Sequence, residues 1–407
     1  MKLLHTADWH LGKRLDKYNR LEEQKAVLEE IIILADSQDV DVVLIAGDLF
    51  DAFNPSTEAI ELLYKTLKRL AKGGERVVIA IAGNHDSPDR IDSPDALARD
   101  CGIIFAGYPH IEVAVGELSG GVLVTRSEPG FIELQLPKYA YPLRVLLTPY
   151  ANEYRMKTFL GIGQEEDELR KVLQTHWQQL TDKYCDTNGV NILMAHLFVM
   201  KKGEVPPEEP IDEKPILHLG GAQAIYTENI PSCLQYVALG HLHRYQEIDK
   251  LRASIVYSSS LLSYSFSEAG QQKYVVLADI EPGSPARFER ISLSNGRPLH
   301  RKRFEEVIDA LAWLKANPDT WVELTLVSDN YLTTADRRAL HQVHDGIVTI
   351  VPEIKNQLEE QHNSKAIDLG QSVDDLFVQY FVHRNGQHPN EELIALFKEI
   401  RAEHINE

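Results

Sequence analysis

Five apolar segments of this chain end in residues that bind metal ions or carry protons. LLHTADWH presents Asp8 and His10, VVLIAGDLFD presents Asp48 and Asp51, and VVIAIAGNHD presents Asn84, His85 and Asp86; NILMAH ends on His196 and YVALGHLH on His241 and His243. One such ending is ordinary, because a buried His or Asp is usually a hydrogen-bonded core residue. Five together point to one site. Carboxylates, imidazoles and a carboxamide, with no thiolate among them, suit borderline divalent cations such as Mn²⁺, Fe²⁺ or Zn²⁺. Asp8, His10, Asp48, Asn84, His196, His241 and His243 exceed the needs of one ion. Asp48 can bridge two, leaving Asp8, His10 and His243 to the first and Asn84, His196 and His241 to the second. Two divalent ions roughly 3.5–4 Å apart are suited to in-line displacement at phosphorus.

The elements that must position these residues are strands and helices in alternation. KLLHTA (2–7), DVVLIAG (41–47) and VVIAIAG (77–83) read as buried strands, separated by helical patterns over 20–37 and 56–72, with Ser56 as an N-cap. Such alternation gives βαβ units and a parallel sheet, whose ligands gather at the carboxyl ends of the strands. Glycines at 47, 83 and 240 are expected to allow sharp turns there. Further strands at 122–125, 131–135, 143–148, 190–195, 235–239, 254–258 and 273–280, without helices between all of them, favour a sandwich of mixed sheets.

Pro, Gly and Ser cluster near residue 282, which suggests a boundary: 1–282 as the main domain, then a small α+β region over 283–355. In that region helices are expected at 304–316 and 333–343 and strands at 321–329 and 347–351. The last segment, 356–407, carries two amphipathic helical patterns. Ser372 and Asp375 open the first, with Leu376, Phe377, Tyr380 and Phe381 on one face, and Gly386 closes it; Pro389 opens the second, with Leu393, Leu396, Phe397 and Ile400 on one face.

The composition restricts the function. A formal charge of −19 argues against a chain that coats nucleic acid through its own basic surface. The acidic runs EEDELR (165–170) and EVPPEEPIDEKP (204–215) read as solvated faces. Neither a signal peptide nor a membrane span is legible, so a cytoplasmic protein is expected. Cys101, Cys185 and Cys233 are few and widely spaced, and are read as reduced thiols.

DWH, GDLFD, GNHD, a later lone His and GHLH resemble the five motifs of the calcineurin-like metallophosphoesterase superfamily. The resemblance implies an α/β fold, the four-layer αββα sandwich, with Asp8, His10, Asp48, Asn84, His196, His241 and His243 as metal ligands. It also implies that His85 contacts the scissile phosphate or protonates the leaving oxygen, with Asp86 orienting its imidazole. Protein phosphatases of the superfamily carry GDxVDRG and GNHE; here Ala52 and Phe53 follow Asp51, and the third motif is GNHD. A nucleotide or cyclic-nucleotide phosphodiesterase would use the same ligands, but gives no reason for a long C-terminal extension ending in apolar helices.

LHTADWHLGK at the start, YSSSLLSYSFSEAGQQKYVVL (257–277), the small α+β region and the terminal pair of helices resemble, in order and spacing over the whole chain, the SbcD family of nuclease subunits, which is related to the archaeal and eukaryotic break-repair nuclease. That similarity implies hydrolysis of phosphodiester bonds at duplex DNA ends and hairpins with two divalent ions, Mn²⁺ being expected, and a capping domain over the site. It implies terminal helices that bind an SbcC-like SMC-type ATPase, and a homodimer of nuclease subunits within a heterotetramer. DNA contacts within this chain are expected at Lys13, Arg14, Arg297, Arg301, Lys302 and Arg303. One departure is Ser258 and Ser259, where the family commonly has a Gly-Ser pair after the Tyr.

Overall fold

The computed structural model describes residues 1–156, 165–204, 224–249, 254–328 and 332–354, and beyond these 376–378, 380–381, 389, 393–394 and 397. In strands Lys2–Thr6, Val42–Ala46 and Val77–Ile81 both faces are apolar. Leu4, Val43, Ile45, Val78 and Ala80 join a core with helices Leu21–Ser37 and Thr57–Leu70, while Leu3, Val42, Leu44, Val77, Ile79 and Ile81 join a second core. A sheet with no polar face must be covered on both sides. These strands run parallel with Ile103–Ala106 in a six-stranded sheet whose other edge, Tyr274–Asp279 and Arg287–Ser292, is antiparallel.

The cover on the second face is another sheet. Strands Leu143–Thr148, Val190–His196, Tyr236–Gly240 and Ser254–Tyr257 form the parallel centre of an eight-stranded sheet. Its Val145, Leu147, Ile192, Met194 and Ala238 pack into the shared inter-sheet core. Its opposite face, with Leu146, Leu193, Val237 and Leu239, takes Leu169, Leu173, Trp177 and Leu180 of helix Glu165–Tyr184. The layers therefore run helix, sheet, sheet, helix, the αββα sandwich that the motif resemblance implies. Ser56 caps its helix as expected, its hydroxyl accepting from Ala59 N at 3.3 Å.

Three expectations need correction. EEDELR opens helix Glu165–Tyr184 and contributes the buried Leu169, so it is not merely a solvated face; the Leu169, Leu173, Trp177, Leu180 spacing was the signal for that helix. The Pro-Gly-Ser cluster near 282 is a hairpin turn, since Arg287–Ser292 pairs back onto Tyr274–Asp279. The sandwich therefore runs to Ser292. Finally, the first element of the small region is a strand, Leu299–Phe304, with the helix beginning at Val307.

That strand forms a three-stranded sheet with Trp321–Ser328 and Ile347–Ile354, accompanied by helices Val307–Ala316 and Thr334–Val343. Ala310, Leu314, Val322, Leu324, Leu340 and Ile347 give it a core of its own. Its Leu299 and Trp321 also pack with Leu15 and Phe266 of the sandwich, and the Trp321 indole N–H donates to Glu23 Oε1 at 3.0 Å.

The described residues of 352–397, with Val327 and Ser328, belong to a second unit. Leu376, Phe377, Tyr380 and Phe381 are helical, as are Leu393 and Phe397, and the Phe377 ring stacks on Phe397 at 4.0 Å. Two members of the predicted apolar stripes thus face each other. Tyr380 is exposed. Leu396 and Ile400, together with Ser372, Asp375 and Gly386, lie outside the described residues.

Candidate metal centre

The loops after the first two parallel strands are zipped together by main-chain bonds: Asp8 N donates to Gly47 O at 3.0 Å, His10 N to Asp48 O at 2.9 Å and Leu11 N to Leu49 O at 3.0 Å. Asp8, His10 and Asp48 take positive φ (53°, 44° and 48°), as does His241 at 101°. A left-handed backbone costs a non-glycine residue roughly 1–2 kcal/mol, so the pairing around it must hold these residues in place. Gly47, at φ 91°, is the turn glycine among the three predicted. At the other two the need is room: a Cβ on Gly83 would lie 2.1 Å from Asp48 Oδ1, and one on Gly240 would lie 1.8 Å from Ala46 O.

All seven predicted ligands converge. His10 Nε2 lies 3.0 Å from His243 Nε2, and His196 Nε2 lies 3.0 Å from Asn84 Oδ1, which is 3.1 Å from His241 Nδ1. Asp48 Oδ2 stands between the groups, 3.4 Å from both His10 Nε2 and His196 Nε2. Asp8 closes the ring by accepting from His241 N at 2.9 Å through Oδ1. Two donors about 2.1 Å from one ion and at right angles lie about 3 Å apart, so these separations match the edges of a coordination shell.

The donor chemistry fits the same reading. His196 Nδ1–H donates to Ala46 O at 2.8 Å and His243 Nδ1–H to Glu268 Oε1 at 3.2 Å, which turns the lone pair of each Nε2 inward. A second ring nitrogen bonded to a carbonyl or carboxylate is how metal-binding imidazoles are usually fixed. Burial pushes His10 and His241 down to about 3, so both are neutral at physiological pH, the form that binds metal. Burial alone would lower His196 too, but Asp48 and Asp8 outweigh it and raise the imidazole to about 9. These carboxylates call for a cation among them. Burial also raises Asp8, to about 6, against the pull of His196 and His243. Among the described residues, Asp8 Oδ2 is buried without a hydrogen-bond partner, as a ligand atom turned toward an ion would be.

His85 stands at the edge of this cluster, its ring 4.8 Å from that of His10. Its N–H donates to Asp48 Oδ1 at 2.8 Å, and its Nδ1–H donates to the main-chain carbonyl of Asp51 at 2.9 Å. Here the reading of Asp86 is corrected. The Asp86 carboxylate is fully buried and accepts from the main-chain N–H groups of Gly83 at 2.8 Å, Phe50 at 2.9 Å and Leu49 at 3.0 Å. Those three donors hold the carboxylate within the loops, and the group that orients the imidazole is the main-chain carbonyl of Asp51.

Several supports carry no motif. Gln24 donates to His10 O at 2.8 Å and to Tyr264 OH at 3.0 Å, and accepts from Gly12 N at 3.0 Å. Buried Arg155 donates to the carbonyls of Gly83 at 2.7 Å and Asp86 at 2.8 Å, bracing the GNHD loop from behind. Lys273 pairs with Glu268 and donates to His243 O at 2.8 Å. In the Ser258–Ser259 pair, Ser258 needs no glycine conformation; Ser259 is the residue at positive φ (92°), and its hydroxyl accepts from Tyr274 N at 2.9 Å.

The predicted basic residues do not form one patch. Lys13 reaches Asp51 Oδ1 at 2.9 Å, beside the metal centre, while Arg14 is exposed and bonds Lys17 O. Strand alternation sends Arg301 and Arg303 to one face of Leu299–Phe304 and Lys302 to the other, where its ammonium lies 5.2 Å from the Trp313 ring. Arg301 pairs with Glu323 at 2.7 Å, and Arg297 sits over Trp321 at 5.0 Å.

The family model for calcineurin-like phosphoesterases matches residues 1–245. The chain is 33% identical over 409 aligned positions to the SbcD subunit of nuclease SbcCD from Bacillus subtilis (strain 168), covering 98% of this chain and 97% of that protein. It is 33% identical over 302 positions to the SbcD subunit of nuclease SbcCD from Rhodobacter capsulatus, covering 70% of this chain and 68% of that one. A dimetal phosphatase from Danio rerio overlays at a TM-score of 0.36 and 12% identity, covering 72% of this chain and 99% of that one, a likeness that carries no argument.

Proposed function

Since this chain belongs to the calcineurin-like phosphoesterase family, and within it to the SbcD nuclease subunits, we propose that its site hydrolyses phosphodiester bonds of duplex DNA ends and hairpins with two Mn²⁺ ions. The chain is a metal-dependent nuclease subunit. The observation that carries the finer reading is Asp48 Oδ2, equidistant at 3.4 Å from an imidazole of each ligand group. In this proposal Asp8, His10 and His243 hold one ion, Asn84, His196 and His241 the other, and Asp48 both.

Bound ions at such a site supply a more acidic attacking water and neutralise the charge that develops on the phosphoryl oxygens. The chain's own residues do the rest. The carbonyl of Asp51 holds one proton on His85 Nδ1, so the doubly protonated ring can donate from Nε2–H to the phosphate or pass that proton to the departing 3′ or 5′ oxygen, returning to neutral imidazole. The main-chain bond from His85 N to Asp48 Oδ1 ties that proton donor to the bridging ligand, so imidazole and metals keep one geometry. Lys13, paired with Asp51, adds positive charge where a phosphate would approach.

Much of the DNA grip is proposed to lie on an SbcC-like SMC-type ATPase, bound through the C-terminal helices, since this chain carries −19. The assembly proposed is two nuclease subunits with two ATPase subunits, in the cytoplasm. Among the described residues no helix is long and apolar enough to cross a membrane.

The test is cleavage of a linear duplex labelled at either end, with Mn²⁺, by the purified chain and by His85→Ala, with a cyclic dinucleotide and an aryl phosphodiester in parallel. DNA cleavage lost in the variant is the expected result, and the order of label release gives the polarity. Rapid turnover of the small diesters with DNA left intact, even with the ATPase partner added, would overturn the DNA reading in favour of a nucleotide or cyclic-nucleotide phosphodiesterase.

A further inference from the structure

Cys185 and Cys233 are far apart in the sequence and meet in the fold. Cys185 follows helix Glu165–Tyr184, its N–H donating to Thr181 O at 2.9 Å, and Cys233 precedes strand Tyr236–Gly240. The helix packs on the outer face of that strand's sheet through a core that includes Leu180 and Leu234. This packing brings the two thiols into hydrogen-bond contact, with the Thr181 hydroxyl as a further partner of Cys233. Both line a cavity of about 400 Å³ together with Asp186, Asn191, Ser232 and Gln235. Cys233 is exposed and Cys185 is half-buried, so a small reagent entering the cavity reaches Cys233 first.

The contact makes the two sulfurs unequal. A hydrogen bond from Cys185 holds the Cys233 thiol down to about 7, while the same bond and burial push Cys185 up. The charged groups facing the pair are Arg144, Asp182 and Asp186. A partly ionised thiol in contact with a protonated one is the arrangement in which one sulfur attacks and the other resolves.

We infer that Cys233 and Cys185 form a peroxide-reactive thiol pair, outside the metal centre, in which Cys233 is oxidised first and Cys185 closes a disulfide. The Cys233 thiolate attacks one oxygen of hydrogen peroxide, the O–O bond breaks, and with one proton a water leaves; sulfur is oxidised to the sulfenic acid and peroxide is reduced. The Cys185 sulfur then attacks that of Cys233, the S–O bond breaks, and the hydroxyl departs as water with the proton of Cys185. The bond formed joins the end of helix Glu165–Tyr184 to the turn feeding strand Tyr236–Gly240.

The full-length reduced protein is treated with hydrogen peroxide at pH 7, alkylated and mapped by peptide mass, with Cys101 as the internal reference. The expected product is a linked Cys185–Cys233 peptide with Cys101 alkylated. Before oxidation, iodoacetamide should label Cys233 roughly tenfold faster than Cys101, and several-fold more slowly in Cys185→Ser. In that variant peroxide should leave Cys233 as a sulfenic acid that dimedone traps. Cys233 carried on to sulfinic acid while Cys185 stays free, or Cys101 oxidised as fast as Cys233, would overturn the proposal. The wild-type peptide map decides this even if the variant folds poorly.

Discussion

The two halves of the proposed metal centre are held by different means. Around Asp8, His10 and His243 side chains add to the main-chain pairing of the loops: Glu268 on His243, Lys273 on Glu268, and Gln24 with Tyr264 beneath His10. Around Asn84, His196 and His241 the supports are largely main chain: Ala46 O on His196 Nδ1, the carbonyls gripped by Arg155, and the contact of Gly240 with Ala46. The first half can thus be weakened by altering charge, and the second by altering backbone, space or the grip of Arg155. Asp48 belongs to both.

The largest effect should therefore come from Asp48→Asn, which keeps the volume and removes the shared charge. Activity should fall by about 10⁴-fold or more, the scale seen when one member of a catalytic unit is lost, and bound Mn²⁺ measured by elemental analysis should drop from two per chain to one or none. Two ions retained at wild-type affinity would break the reading of Asp48 as the link between the halves. His85→Ala should come next. It belongs to neither half, so a loss of about 10²–10⁴ in rate should leave the Mn²⁺ stoichiometry at its wild-type value. A lost ion would mean that His85 is a ligand.

The same contrast explains what could be read in the sequence. The ligands of both halves announce themselves: strands that are apolar on both faces must end abruptly, and the polar residues at 8, 10, 48, 84, 196, 241 and 243 then stand at known strand ends. A sandwich of mixed sheets was legible from the run of strands, while its αββα layering rested on the motif resemblance. The side-chain half hides its supports, because Gln24 lies in a helix with nothing to set it apart from a surface glutamine, and Glu268 and Lys273 lie in a loop between strands. Asp86 was misread because adjacency to His85 in sequence does not put two side chains on the same side of a turn. Arg301, Lys302 and Arg303 looked like a patch in one dimension, and the strand beneath them divides it.

Glu268→Gln tests the side-chain half. The amide retains an acceptor for Tyr264 N, bonded at 3.1 Å, but no longer offers charge to His243 or Lys273. Affinity for one Mn²⁺ should weaken about 10–100-fold, as when a metal ligand's own partner is removed, with the other ion held as before. Calorimetric titration should then resolve two unequal sites. Equal weakening of both would show that the halves are one cooperative unit.

Gly240→Ala is the corresponding change in the main-chain half and should be the mildest of the four. The methyl group would stand 1.8 Å from Ala46 O and 2.9 Å from His196 Nδ1, both fixed by their bond to one another. The two sheets meet at this point, and a contact of 1.8 Å with a backbone carbonyl forces the strand ends apart by over an ångström, so the cost should reach the upper end of the range for overpacking, about 1–3 kcal/mol. His196 rides on Ala46 O and should shift with it, so the weakened ion should be the one held by Asn84, His196 and His241, while the ion at Asp8, His10 and His243 keeps its affinity. A lowered melting temperature with selective loss of that second ion would set this variant opposite Glu268→Gln, each weakening a different site. A melting temperature and two affinities indistinguishable from wild type would mean the sheets can part without cost, and that backbone contact is not what holds the second half.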